Sequence, residues 1–258
     1  MKKTILLILL SLFFFTGCDP MQIIPDDDPI VEIPIEPNVF TVKIASTWEY
    51  LKEETTPMNV VTETQGVGWQ TYNADSCTLT RETTEGSLVK TEEFVFENMT
   101  DLLKDGVRPE TNSIEYSIIR EDFDTGITIG FKHVYAIDDL GRRIKDVVYS
   151  WGGTEWSIDP VVEETYTFAE YDELGRLTYT GNENHSTGTD LEYGVSEDTG
   201  LLFEINKDVV NRDTKKEHII EFDSKSYLPL AVYDNVNDYF MYEIDYFQLD
   251  YTQLTIEL

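Results

Sequence analysis

From Val39 onward, apolar and polar residues alternate in short runs separated by turn-forming residues. FTVKIAS (40–46), EEFVFEN (92–98), SIEYSIIRE (113–121) and GITIGFKHVYAI (126–137) carry the pattern in the first half. RRIKDVVYSW (142–151), EETYTFAEYD (163–172), GRLTYTGN (175–182) and GLLFEINKDVV (200–210) continue it. EHIIEFD (217–223), LPLAVYDN (228–235) and the aromatic-rich 238–258 complete it. A period of two, rich in β-branched and aromatic residues, turns one face of a strand to a core and the other to water. Turn markers fall between the runs, at Asp124-Thr125-Gly126, Gly152-Gly153, Gly175, Asp198-Thr199-Gly200 and Asn235.

Helix signals are few. Ser46 and Glu49 have capping-box spacing and predict a short helix over TWEYLKEE (47–54). Asn98 or Thr100 caps a second over MTDLLKD (99–105), with Gly106 as its stop. Gly66-Val67-Gly68 lacks phosphate-loop context and reads as a loop. The predicted fold is mainly β: an antiparallel meander of hairpins forming a curved sheet, half-barrel or sandwich, with one or two short helices. The domain spans 39–258, and the less regular stretch 39–110 is a candidate subregion.

The N-terminus breaks from this texture. Lys2 and Lys3 precede an apolar run to Phe15, too short for a transmembrane helix but suited to a secretory signal at 1–17. Phe15-Thr16-Gly17-Cys18 then resembles the bacterial lipobox, with Phe15 where Leu is usual. That resemblance implies cleavage between Gly17 and Cys18 and lipidation of the Cys18 thiol, a strong nucleophile once ionised. Residues 18–38 hold five of the nine prolines, six acids and no base. They form an extended spacer that reaches on the order of 60 Å at about 3.1 Å per residue. Asp26-Asp27-Asp28 lacks the ligand spacing of a calcium loop. Acids after the lipidated Cys resemble the surface-export signals of Bacteroidetes lipoproteins, whereas Asp19 resembles the inner-membrane retention signal of enterobacteria. The implied location is the cell envelope, at the outer membrane or cell surface, with the inner membrane as the alternative.

Four segments align on their turns: 134–150, 168–182, 193–208 and 219–235. Each has a strand, an acidic turn and a second strand, with Gly141, Gly175, Gly200 and Ser226 in equivalent places. One hairpin cannot bury its apolar face alone, but neighbouring hairpins can. Tyr171-Asp172-Glu173-Leu174-Gly175-Arg176-Leu177 resembles the YD-repeat (RHS-type) motif. Ile137-Asp138-Asp139-Leu140-Gly141-Arg142-Arg143 follows it with Ile137 in the Tyr place. Leu228-Pro229-Leu230 resembles the strand pair of the lipoprotein-carrier half-barrel superfamily, which implies a concave face able to cradle an acyl chain.

Charge narrows the partners. Fifty acids against nineteen bases give a net charge of −31, which repels phosphate backbones and makes nucleic acid an unsuitable partner. Cys77 stands alone once Cys18 is modified and reads as a small buried apolar residue. His133, His185 and His218 have no metal-ligand spacing, and no catalytic residue, metal site or cofactor is identified. WGGTEW (151–156) places Trp151 and Trp156 across a Gly-Gly turn. They are candidates for ligand stacking, or else a cross-strand aromatic pair. The implied function is a lipid-anchored, non-catalytic binding or scaffold module, contacting the membrane through its anchor and an envelope protein, glycan or amphiphile. The alternatives are a carrier-like half-barrel for amphiphiles and an envelope glycan or peptide hydrolase.

Overall fold

The computed structural model of the chain describes residues 39–258 apart from 57, 59, 104–106, 198, 238 and 258. The signal segment, Gly17, Cys18 and the spacer lie outside the described residues, as do Gly106 and Asp198. Fifteen strands form one antiparallel sheet. The first arm is β1 (Val39–Thr55), β2 (Val61–Asn73), β3 (Thr78–Glu85), β4 (Leu88–Val95), β5 (Glu115–Asp122), β6 (Ile127–Ile137), β7 (Arg143–Ser150) and β8 (Val162–Thr165). The second is β9 (Ala169–Tyr171), β10 (Leu177–Gly181), β11 (Thr187–Val195), β12 (Leu202–Val210), β13 (Asp213–Phe222), β14 (Pro229–Asp234) and β15 (Tyr239–Glu257). Every strand pairs with its neighbours in sequence except at one place, between β8 and β9. The two arms are joined instead by β1 and β15, paired from Val39↔Glu257 to Glu54↔Tyr242.

The free edges β8 and β9 are neighbours in sequence, and the sheet curls until they approach. Laid flat, β7 and β9 would stand about 60 Å apart at normal strand spacing. Yet the Tyr171 hydroxyl donates to Arg143 O, and the Arg142 guanidinium covers the Tyr171 ring at 4.9 Å. Between the edges, Tyr166 N donates to Ile144 O and Gly181 N to Phe168 O, so two residues of chain step from one side to the other. The ladder itself stays open there. The β architecture is thus a single curled sheet rather than a two-sheet sandwich, and it runs without interruption across residue 110.

Three local expectations give way. Residues 47–54 are not helical but lie in β1, hydrogen-bonded to β2 and β15, with Trp48 and Tyr50 buried and Glu49 and Glu53 exposed. Pairing on both sides outweighs a capping signal that only resembles a helix start. Gly66-Val67-Gly68 is the middle of β2, not a loop. Its glycines face inward because the Tyr50 and Trp48 rings lie over them; a Cβ at either would fall 2.3 Å from a ring carbon. Cys77 is only half-buried, in the turn before β3 at φ 51°. The helix expected at 99–105 is a 3₁₀ turn, Met99–Leu103, opened by Asn98, whose Oδ1 accepts from Thr100 N at 3.1 Å. A one-turn helix, α1 (Pro109–Asn112), follows it.

The YD-like turns share one geometry. Asp172 Oδ1 accepts from the backbone of Leu174 and Arg176, and Arg176 Nε donates to Asp172 Oδ2 at 2.6 Å. Asp138 does the same for Leu140 and Arg142. Gly175 (φ 79°) and Gly141 (φ 74°) take the left-handed position. The turns at Gly200 and Tyr227 are one residue longer, so Tyr227 (φ 55°), not Ser226, occupies the glycine place. The two closest motif copies are also the turns that meet at the open seam. Tyr171→Ala should therefore loosen that seam. Hydrogen exchange in β8–β10 should quicken about tenfold, the effect of losing roughly 1–2 kcal/mol, while β1 and β15 keep their protection.

Candidate functional site

The curled sheet is too wide for its side chains to fill. Buried apolar residues form three separate clusters, around Phe94, Trp48 and Phe222. The β4–β5 connection turns inward between them, burying Met99, Leu102, Val107, Pro109 and Ser113. Arg108 Nη2 ties it to Glu204 of β12 at 2.8 Å, with the guanidinium over Phe222 at 4.5 Å. Arg143 donates to the carbonyls of Glu110 and Ser113 and covers Tyr135 at 3.6 Å. Cavities of about 710 Å³ and 460 Å³ remain among the described residues, and both reach Arg108, Glu110 and Tyr116.

Their charge differs from that of the chain. Seven of the nineteen bases line them (Lys52, Arg81, Lys90, Arg108, Arg120, Arg143 and Arg176), against eight of the fifty acids. The interior is therefore near neutrality inside a strongly acidic protein. Pairing explains much of it. Lys52 meets Glu85 at 2.8 Å, and the Tyr50 hydroxyl donates to the same carboxylate at 2.7 Å. Lys90 lies 3.1 Å from Glu92, which also accepts from the Tyr116 hydroxyl at 3.1 Å. Arg81 is 3% exposed and reaches only 4.0 Å from Glu92 and 3.9 Å from Glu110, with Nε and Nη2 unpartnered.

These contacts shift the acids in a definite direction. Burial pushes the Glu85 carboxyl up, but hydrogen bonds from Lys52 and Tyr50 outweigh it and hold the group below its usual 4.5. Burial acts likewise on Glu92, where Lys90 and Arg81 win and again lower it. The tyrosines move the other way: burial pushes Tyr242 up to about 12, so it stays a neutral hydrogen-bond donor.

The sequence-derived candidates divide: His133 and the YD-like turns border the smaller cavity and Leu228-Pro229 the larger, whereas the two tryptophans border neither. Trp151 and Trp156 form an isolated bridge and pack edge-to-face at 4.9 Å, and neither lines a cavity. His133 Nδ1 lies 2.9 Å from Asp146 Oδ2, within a stacked row of Phe94, Tyr116, His133 and Tyr135. That dyad joins adjacent strands, a pairing that needs the register to be seen. His185 lies 3.1 Å from Glu170 and stacks on Tyr179. Among the described residues no group of three His, Cys, Asp or Glu is placed to hold a metal ion, and no helix is long and apolar enough to cross a membrane. The larger cavity's cations were missed because they are scattered over β1, β3, β4, β5 and the β4–β5 connection. Their one sequence signal is position: Arg81, Lys90 and Arg120 each occupy the inward parity of a strand.

Comparison with known families and with curated proteins finds no match for this chain.

The lowered carboxyls set a pH dependence. A group whose folded pKa is depressed contributes stability above its unfolded value and loses it as pH falls through the folded one. Unfolding free energy should thus decline as pH drops below about 4.5. Glu92→Gln should cost about 3–5 kcal/mol at pH 7, since it strands buried cations. That gap should narrow in acid, as urea titrations from pH 7 to pH 3 would record.

Proposed function

We propose that this chain is a bacterial envelope lipoprotein whose β domain is a non-catalytic binding module, with its ligand in the larger cavity. The observation that carries the reading is the cavity of about 710 Å³, walled by inward side chains from seven strands on both sides of the β1–β15 pair. Its volume lies in the range of small-molecule sites, and its mixed apolar and charged lining suits orientation as well as affinity. The acids favour binding over hydrolysis. A general acid needs a raised pKa, whereas Glu85 and Glu92 are held low. The anchor half of the proposal rests on sequence: Lys2-Lys3, the short apolar run, and Phe15-Thr16-Gly17-Cys18 ahead of a proline-rich spacer.

A second reading, an amphiphile carrier, is favoured by one observation. Leu228 and Pro229, from the segment that resembles the carrier strand pair, line the cavity beside Ile220, Phe222 and Ile244.

Both halves are testable. Mass spectrometry of the membrane fraction should find a mature N-terminus at Cys18 bearing acyl mass, absent from Cys18→Ala; an unmodified chain starting at Met1 would defeat the anchor. A thermal-shift screen of amphiphiles and envelope oligosaccharides should give compounds that raise the melting temperature. Ile118→Trp, which fills the cavity, should abolish that rise. No stabilising compound, or stabilisation indifferent to the Trp, would defeat the binding module.

A further inference from the structure

The larger cavity has two unlike walls. On the side of β13–β15, Ile220, Phe222, Leu228 and Ile244 present an apolar surface. On the side of β3–β5, Arg81, Lys90 and Arg120 present cations. The register sets Lys90 directly opposite Arg120. Like charges in directly opposed positions destabilise an antiparallel pair.

Five bases line the cavity against four acids, Glu54, Glu85, Glu92 and Glu110, so one cation is left over, and Glu54 stands by Lys52 at 3.5 Å. Glu85 is taken by Lys52, Glu92 by Lys90, and Glu110 lies closer to Arg108 (3.6 Å) than to Arg81. Arg120 has no ion pair among the described residues. Arg81 is almost wholly buried with Nε and Nη2 unpartnered; Oε2 of Glu92 and of Glu110 also lack hydrogen bonds, but these carboxylates stop 4.0 Å and 3.9 Å from Arg81, too far to accept from it. Buried donors ordinarily have acceptors, and one without an acceptor calls for a reason. An opposed cation pair at the mouth and a donor-rich guanidinium below it are a cost to the empty protein that one negative charge from outside would relieve.

We propose that the larger cavity receives an anionic amphiphile, its acid group meeting Lys90 and Arg120 with Arg81 beneath, and its apolar body lying on Ile220, Phe222 and Ile244. This rests on the binding-module reading and adds the class of ligand. The mixture of walls separates the class from its neighbours. A neutral amphiphile satisfies one wall only, and a cationic one meets repulsion at the other. A bare inorganic anion leaves the apolar wall wet.

Calorimetry on the folded domain with three probes that share a ten-carbon chain, decanoate, decanol and decyltrimethylammonium, tests this. Decanoate should bind at least about tenfold more tightly than either of the others, a difference of about 1.4 kcal/mol. Raising the salt concentration should erode that preference. Arg120→Gln, at an exposed position that should tolerate the change, should lose most of the preference. It should also melt about 2 °C higher than the parent when empty, because the opposed charges are relieved. Equal binding of decanoate and decanol, or unchanged decanoate binding by Arg120→Gln, would overturn the anionic inference while leaving the binding module standing. Failure of all three probes to bind would also overturn the amphiphile inference; the binding module would fall only if the oligosaccharides of the thermal-shift screen failed as well.

Discussion

The pairing of β1 with β15 is the constraint on which the rest depends. Without it the chain would be two separate meanders, β1–β8 and β9–β15, each with an uncovered face. The partners lie some two hundred residues apart, so closing the chain has an entropic cost. That cost grows only logarithmically with loop length, whereas each added pair contributes its own hydrogen bonds and side-chain contacts. Length is therefore the device. These strands run 17 and 19 residues, while the edge strands β8 and β9 have four and three. Ladder strength is greatest where the ends of the chain must be held, and least where the sheet opens.

Curling follows from the same arrangement. A twisted sheet of fifteen strands brings its edges round, and here the edges are consecutive in sequence. Short edge strands with charged, exposed residues such as Glu163 and Glu164 discourage pairing with other chains. The closure is made by side chains instead, through Tyr171 against Arg142 and Arg143. A sheet this wide cannot fill its own interior. The chain compensates with an inward connection between β4 and β5, three small apolar clusters, and Arg–carboxylate ties such as Arg108–Glu204. What the compensation leaves unfilled is the pair of cavities.

Much of this was legible in the sequence, for identifiable reasons. At the start of β1 and from β4 onward, β11 excepted, period-two alternation marks the strands because each has one inward and one solvated face. The turn positions show because Asp172 and Gly175 perform local chemistry that needs no tertiary partner. β2 was hidden because its inward residues, Gly66, Gly68 and Gln70, are not apolar. They make sense only once Tyr50 and Trp48 are laid across them. The false helix at 47–54 arose from the same pair of strands. Trp48, Tyr50 and Lys52 alternate inward, but Leu51 and the acids around them also fit a helical surface. The cavity's cations were invisible for a deeper reason: burial of Arg81 is a property of five strands together, and no window of sequence contains it.

The distribution of charge has a consequence for what can reach the interior. A chain with net charge −31 repels anions at a distance, and most strongly those carrying many charges. The repulsion is screened over about 8 Å at physiological ionic strength, whereas charges within a walled cavity are screened much less. A polyanion meets the exterior field over its whole length, so its repulsion is the greatest. A small ligand with one acid group pays that field once, then meets Arg120 and Lys90 at close range and an apolar wall beyond them. On the proposed reading, the acidic surface and the near-neutral cavity, with cations on one wall, are complementary. The first would reject charge in bulk, and the proposed anionic amphiphile would bring the second a single charge together with an apolar body.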